Sequence, residues 1–142
     1  MDARPTAATE ADIHALAAAL PHTTVWTAPS GRVVYQVSGK SFVYFRTPRK
    51  DAVDPLTGER YDDVVIFWVD GEDAKQALVQ DPATPFFTTD HFAGHPSVLL
   101  RLARVGELSR QELAEVIEDA WLAQASDRRG RLYLESPARI TT

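Results

Sequence analysis

His91 and His95 stand four residues apart, the interval at which two imidazoles on one helical turn can share a metal ion. Gly94 and Pro96 interrupt any helix there, and no glutamate follows His91 as a base, so the pair reads as structural, with a ligand-cleft role as the alternative. Gly39-Lys40-Ser41 matches the end of a phosphate-binding loop. The full motif needs a further glycine where Val34 stands, and a helix where Phe42 to Phe45 reads as strand. A hairpin turn explains the triplet better, because it lacks the nest of amides that cradles phosphate. Asp62 and Asp63 are adjacent, so on a strand they face opposite sides and cannot share a proton by spacing alone. No serine sits in a G-x-S-x-G elbow. The chain has no cysteine, which removes thiol nucleophiles, thiolate metal sites and disulfides together. These residues predict no catalytic site, no metal site and no cofactor; catalysis would require assembly from distant segments.

Two basic clusters offer a different chemistry. Arg46, Arg49 and Lys50 lie where a strand meets a loop, close to Tyr44, and Arg128, Arg129 and Arg131 follow the last long helix. Arginine beside exposed aromatic rings suits phosphate contact and base stacking. The competing reading is a solvated edge neutralised by Asp51, Asp54, Asp127 and Glu135. The formal net charge is −5, so the field of the whole molecule repels polyanions and any attraction must be local. Trp26, Trp68 and Trp121 read first as core or core-edge residues, with Trp26 and His91 as candidates for a ligand cleft.

The elements that must position these groups follow from period and punctuation. A chain of 142 residues is one domain of ordinary size. Thr9 caps a helix carrying Ile13, Leu16, Ala17 and Leu20, which Pro21 stops. A short strand is expected at Thr24 to Thr27. Alternation over Arg32 to Ser38 and Lys40 to Arg46, joined by Ser38-Gly39, predicts a hairpin. The segment Thr47 to Arg60 reads as a long exposed loop. Val64 to Val69 is continuously apolar, as in a central strand covered on both faces. Asp70 and Asp73 have capping spacing for a helix to about Gln80, with Ala74, Ala77 and Leu78 inward. Phe86 to Phe92 and Val98 to Val105 are expected as extended segments. Ser109-x-x-Glu112 is a capping box for a helix with Leu113, Val116, Ile117, Ala120 and Trp121 inward and Glu112, Glu115, Glu118 and Asp119 outward. DRRGR at Asp127 to Arg131 breaks that pattern. Acids inside the apolar N-terminal stretch argue against a signal peptide or membrane span, so the cytoplasm is the expected compartment.

Consecutive strands with helices set apart from them predict an α+β fold. The helix ending in LP, the hairpin VSGKSFVYF, the helix after WVDGEDAKQAL, and above all FFTTDHFAGHPSVLLRL followed by ELAEVIEDAWLAQAS resemble the MmcQ/YjbR family over roughly residues 9–130. The resemblance implies a small single domain with an antiparallel sheet of about five to six strands, similar in outline to the frataxin and secretion-chaperone folds. Its members are often labelled DNA-binding on the strength of a paired-hairpin, double-wing shape, and it carries over no catalytic residue. The loop Asp51 to Asp63 is longer than the family pattern. The expected organisation is a flexible tail at 1–8, the domain at 9–130 and a C-terminal tail at 131–142. Two functional readings stay open: weak, salt-dependent DNA binding through the hairpin edge, or binding of a small ligand or protein by the sheet face or acidic last helix.

Overall fold

The computed structural model describes residues 6–141. Five strands form one antiparallel sheet in sequential order: β1 (Thr24–Thr27), β2 (Val33–Val37), β3 (Lys40–Phe45), β4 (Val64–Trp68) and β5 (Ser97–Arg101). Helices α1 (Glu10–Ala19) and α3 (Arg110–Gln124) pack together, and α3 lies on β3 and β4. A short α2 (Glu72–Val79) links β4 to the segment before β5, and α4 (Asp127–Leu134) follows α3. The α+β expectation holds, with five strands.

The β2–β3 hairpin forms where alternation placed it. Ser38 and Gly39 both take positive φ, 54° and 76°, the two-residue turn whose twist matches the strands it joins. Strand pairing then sorts the side chains onto two faces. One face carries Tyr35, Val43, Phe67 and Val98 in register, with Phe45, Val65 and Leu100 beside them. These residues are buried beneath Ile13, Leu16, Leu113, Ile117 and Trp121 of α1 and α3. Trp121 also donates its indole N–H to the Pro21 carbonyl at 3.1 Å, tying the two helices at the end of α1. The opposite face carries the row Trp26, Val34, Tyr44, Ile66 and Leu99, which crosses all five strands.

The expected capping box Ser109 with Glu112 forms on α3, and the expected cap Thr9 on α1 is also part of a box, with Asp12. Four expectations change. Helix α2 starts at Gly71 without a side-chain cap, and its most buried residue is Lys75, while Ala77 is exposed. The expected strand through Val105 ends at Arg101, after which residues Leu102–Glu107 wind into a 3-10 helix. Asp63 causes that turn by accepting from Arg101 Nε at 3.0 Å and from the Ala103 amide at 3.0 Å. The segment expected as strand at Phe86 to Phe92 touches the sheet through a single bridge, Phe87 to Leu99, and then forms a 3-10 turn at Asp90–Phe92.

The fourth change is at the chain ends. DRRGR interrupts α3 but starts α4, with Ser126 accepting from the Arg129 amide. Part of the expected tail at 131–142 is therefore helical, and it folds back on α3. Glu118, expected outward, is 4% exposed; it accepts from Tyr133 Oη at 2.6 Å, Arg139 Nη2 at 2.7 Å and Thr141 Oγ1 at 2.9 Å. Burial raises its carboxyl, but those hydrogen bonds and the Arg139 charge outweigh burial and hold it below the ordinary value. At the other end, residues 1–5 of the expected tail lie outside the described residues. Ala8 is buried and donates its amide to the Leu108 carbonyl at 2.9 Å.

Two outcomes follow from this packing. Ile117 is fully buried, whereas Val116 sits at the helix margin and is only partly covered. Ile117→Ala should cost about 2–4 kcal/mol in urea unfolding, and Val116→Ala less than about 1 kcal/mol. Burial first, and then the hydrogen bond to Glu118, push the Tyr133 phenol up from 10.0 to about 12. Its neutral form is favoured in the folded chain, so its stabilisation is complete below pH 10 and fades as pH rises towards 12. An ultraviolet titration should find a tyrosine step near pH 12, and Tyr133→Phe should remove that step.

Candidate functional site

The second face of the sheet is covered on one half only. Over β4 and β5, Phe92 packs with Val64, Ile66 and Leu99, and Tyr61 and Phe87 close the edges. The covering segment has little regular structure of its own, so its backbone must be held by something else. Lys75 supplies that hold. Its side chain is 1% exposed, and its ammonium donates to the Phe92 carbonyl at 2.6 Å and the His95 carbonyl at 2.8 Å. Those carbonyls would otherwise face an apolar interior unpaired.

Over β1 to β3 nothing comparable covers the face. A cleft of about 540 Å³ opens there, floored by Val34 and Tyr44 and bordered by Arg32, Arg46, Arg49, His91 and His95. Period 2 brings these groups together: Arg32 and Val34 run along one strand's outer face, Tyr44 and Arg46 along the next. Among the described residues no carboxylate lines this cleft.

Arg46 is not the exposed phosphate contact that the sequence suggested. It is 7% exposed, its guanidinium stands 4.9 Å from the Phe92 ring centroid, and its Nη2 lies 2.7 Å from Asp51 Oδ1. Its Nη1 is buried with no hydrogen-bond partner. Asp51 takes a second hydrogen bond, from Thr89 Oγ1 at 2.7 Å, and so ties the long loop to the covering segment. Burial raises the Asp51 carboxyl; the bonds from Arg46 and Thr89 and the Arg46 charge more than reverse this and leave it below the ordinary value. Arg49 borders the cleft and is exposed, and Lys50 is exposed beyond it.

Arg128, Arg129 and Arg131 belong to α4, on the helix side of the sheet. Arg129 reaches Ser38 at the hairpin tip, 3.3 Å away, whereas Arg46 follows the opposite end of β3. Six residues of strand, roughly 20 Å, separate the two clusters, so they do not merge into one basic stripe.

His91 lies exposed in the 3-10 turn, and His95 is partly buried, with Nδ1 2.7 Å from Ser97 Oγ and its ring against Trp68 at 5.0 Å. Among the described residues no cluster of three potential metal ligands occurs. Burial, followed by the charges of Lys75 and His91, holds the His95 imidazole below its ordinary value. Trp26 is 54% exposed at the sheet edge, in register with Val34, outside the cleft that His91 borders. Thus the structure groups His91 with Arg46 and Arg49, and sets Trp26 beside them rather than within. Sequence reasoning passed over Arg32 and Lys75, and named Asp51 as a neutralising neighbour of the basic cluster, which it is for Arg46. Strand parity carries a signal for Arg32; nothing local announces Lys75.

A second concavity, of about 730 Å³, lies between α2 and α3. Asp70, Glu115, Asp119 and Asp127 rim an apolar floor that includes Leu78 and Val116. Burial, then repulsion from Glu118, Glu115 and Asp70, raises the Asp119 carboxyl. The two concavities therefore suit ligands of opposite charge.

Comparison with known proteins places this geometry in context. A family model described as YjbR matches residues 18–123. Proteins of Mycobacterium tuberculosis and Mycobacterium bovis, each described as uncharacterized, are 36% identical over 104 residues, covering 70% of this chain and 78% of each relative. No solved structure matches. Among the described residues no helix is long and apolar enough to cross a membrane.

Lys75→Met tests how the cleft is held. It leaves two carbonyls unpaired and should lower stability by roughly 1–3 kcal/mol. With the Lys75 charge gone, His95 should titrate at higher pH than in the unaltered chain, as read from its ring resonances.

Proposed function

The chain belongs to the YjbR family, and from that starting point we propose that it is a binding module rather than an enzyme, holding single-stranded nucleic acid weakly on the open half of its sheet. The observation that carries this reading is the row of exposed Trp26 and half-buried Val34 and Tyr44 beside a cleft lined by three arginines and, among the described residues, no carboxylate. Flat apolar and aromatic groups on a sheet face accept bases by stacking, worth about 1–3 kcal/mol per base, while neighbouring cations follow the phosphates. Two of the groups near the cleft that could act in catalysis are engaged in holding the fold: Asp51 by Arg46 and Thr89, and His95 by Ser97.

This reading uses the face of the β2–β3 hairpin rather than the tip of a wing. It leaves Arg128, Arg129 and Arg131 out of the interface, because they lie at the far end of β3. The net charge of −5 and the acidic α2–α3 groove oppose a polyanion at long range. Binding is therefore weak and strongly dependent on salt.

Fluorescence anisotropy with a labelled single strand tests it. Affinity should fall in the ~10–100 µM range or weaker near physiological salt, with a logarithmic salt slope of roughly −2 to −3 for three to four phosphate contacts. Trp26→Ala should weaken binding about fivefold or more. Triple reversal of Arg128, Arg129 and Arg131 to glutamate should change it by less than about twofold. No binding to single or double strands at ~100 µM protein and low salt would remove the reading.

A further inference from the structure

We propose that the groove between α2 and α3 is the docking site for α4 of a second copy of this chain, each copy placing Arg128, Arg131 and Leu132 in the other's groove. The pairing uses the helical side of the molecule and stands apart from the nucleic-acid reading, which uses the opposite face of the sheet.

The groove fixes the chemistry of its occupant. Its floor of about five apolar side chains takes Ala74 and Leu78 from α2, Val116 and Leu122 from α3, and Val69 between them. All but Val69 are only half-buried. Asp70, Glu115, Asp119 and Asp127 stand exposed along the rim. Among the described residues, none of the four lies within ion-pair distance of a cation. Like charges gathered over an apolar floor repel one another until a cation joins them. Burial and then these acidic neighbours hold the Asp119 carboxyl above its ordinary value. An amphipathic helix with leucine and arginine on one face meets both demands of such a groove.

The chain displays such a helix on its own surface. Buried Gly130 and Tyr133, which donates to Glu118 at 2.6 Å, seat α4 on α3. A side chain at Gly130 would touch Leu122, which also lines the groove, so α4 borders the groove's end. Arg128, Arg131 and Leu132 follow the i, i+3, i+4 spacing of one helical face. All three are exposed, Leu132 at 58%. That face lies opposite the residues that anchor α4, so it cannot enter the groove of its own chain. Glu135 follows past the last helical residue, and the charge match rests on the first two turns. Asp127 both rims the groove and opens α4, which makes the groove and the basic face contiguous. Contiguous, complementary patches are what a two-fold interface requires, because each copy offers one patch and receives the other.

Sedimentation velocity of the full chain, from ~5 to ~500 µM, tests the pairing. At ~50 mM salt it should show a monomer–dimer equilibrium with a Kd on the order of 10–100 µM, as fits a small contact, and ~500 mM salt should weaken it about tenfold or more by screening. Arg128→Glu with Arg131→Glu should weaken dimerisation about tenfold or more, and Glu115→Arg with Asp119→Arg should do the same. All four side chains are exposed, so the thermal unfolding curves of both variants should stay in place. An equimolar mixture of the two variants should recover a dimer within about threefold of the unaltered Kd, because the unaltered groove then meets the unaltered helix and the reversed groove the reversed helix. A chain that stays monomeric at ~500 µM and ~50 mM salt overturns the proposal. A dimer that neither reversal shifts, or a mixture that recovers nothing, overturns it equally.

Discussion

Strand β4 has to be covered on two faces by a chain that offers only one layer of helices. Val64, Val65, Ile66 and Phe67 are all buried, two toward α3 and two away from it. The helical side is met by α1 and α3 with ordinary apolar packing. The other side is met by residues 86–96, which lack the alternation to make a strand and the length to make a helix. Their cover stays in place because the Lys75 ammonium reaches two of their carbonyls and the Asp51 carboxylate reaches Thr89. That segment spans only two strands, and the open half of the face is what remains.

Charge is partitioned by the same arrangement. Asp70 before α2, Glu115 and Asp119 of α3, and Asp127 of α4 gather around the groove on one side, and Arg32, Arg46 and Arg49 border the cleft on the other. The carboxylates near the cleft do not line it. Asp51 pairs with Arg46, and Asp63 pairs with Arg101, whose guanidinium stands 3.8 Å from the Tyr61 ring centroid. The long loop between β3 and β4 is thus pinned at both ends by a carboxylate acting across the chain. Because each acid neutralises one neighbour and turns away from the solvent-facing floor, a molecule of net charge −5 retains a locally positive concavity.

Much of the fold was legible because its rules are local. Ser38-Gly39 between alternating runs, the Thr9 cap, the Ser109–Glu112 capping box, and the unbroken apolar stretch of β4 each state their structure within a few residues. What was not legible depends on partners far along the chain. Lys75 carried no reading and Glu118 read as solvent-facing; their burial is set by carbonyls 17 and 20 residues away in one case and by Tyr133 and Arg139 in the other. Asp63 stops β5 at Arg101 from 38 residues upstream, so no pattern in Val98 to Val105 could mark the change to a 3-10 helix. Arg46 was found as a candidate but given the wrong exposure for the same reason. Strand parity says which face a side chain takes, and only the tertiary structure says what lies over it.

The places where the chain departs from these economical rules coincide. Strand β1 is an edge of only four residues, and it exposes Val25 and Trp26, at 56% and 54%, where an apolar edge invites unwanted pairing. Pro21 and Pro29 bracket it and limit how far another strand could extend that pairing. A few residues away, on the same face of the sheet, a buried guanidinium nitrogen lacks an acceptor. A fold selected only for stability would shorten the indole and satisfy or remove the arginine. Trp26 stands on the open half of the sheet, and Arg46 at its boundary with the covered half, beneath the Phe92 ring. Departures from packing that gather beside the open half of the face are the reason the nucleic-acid binding proposed for this chain is placed there and not on the helical layer.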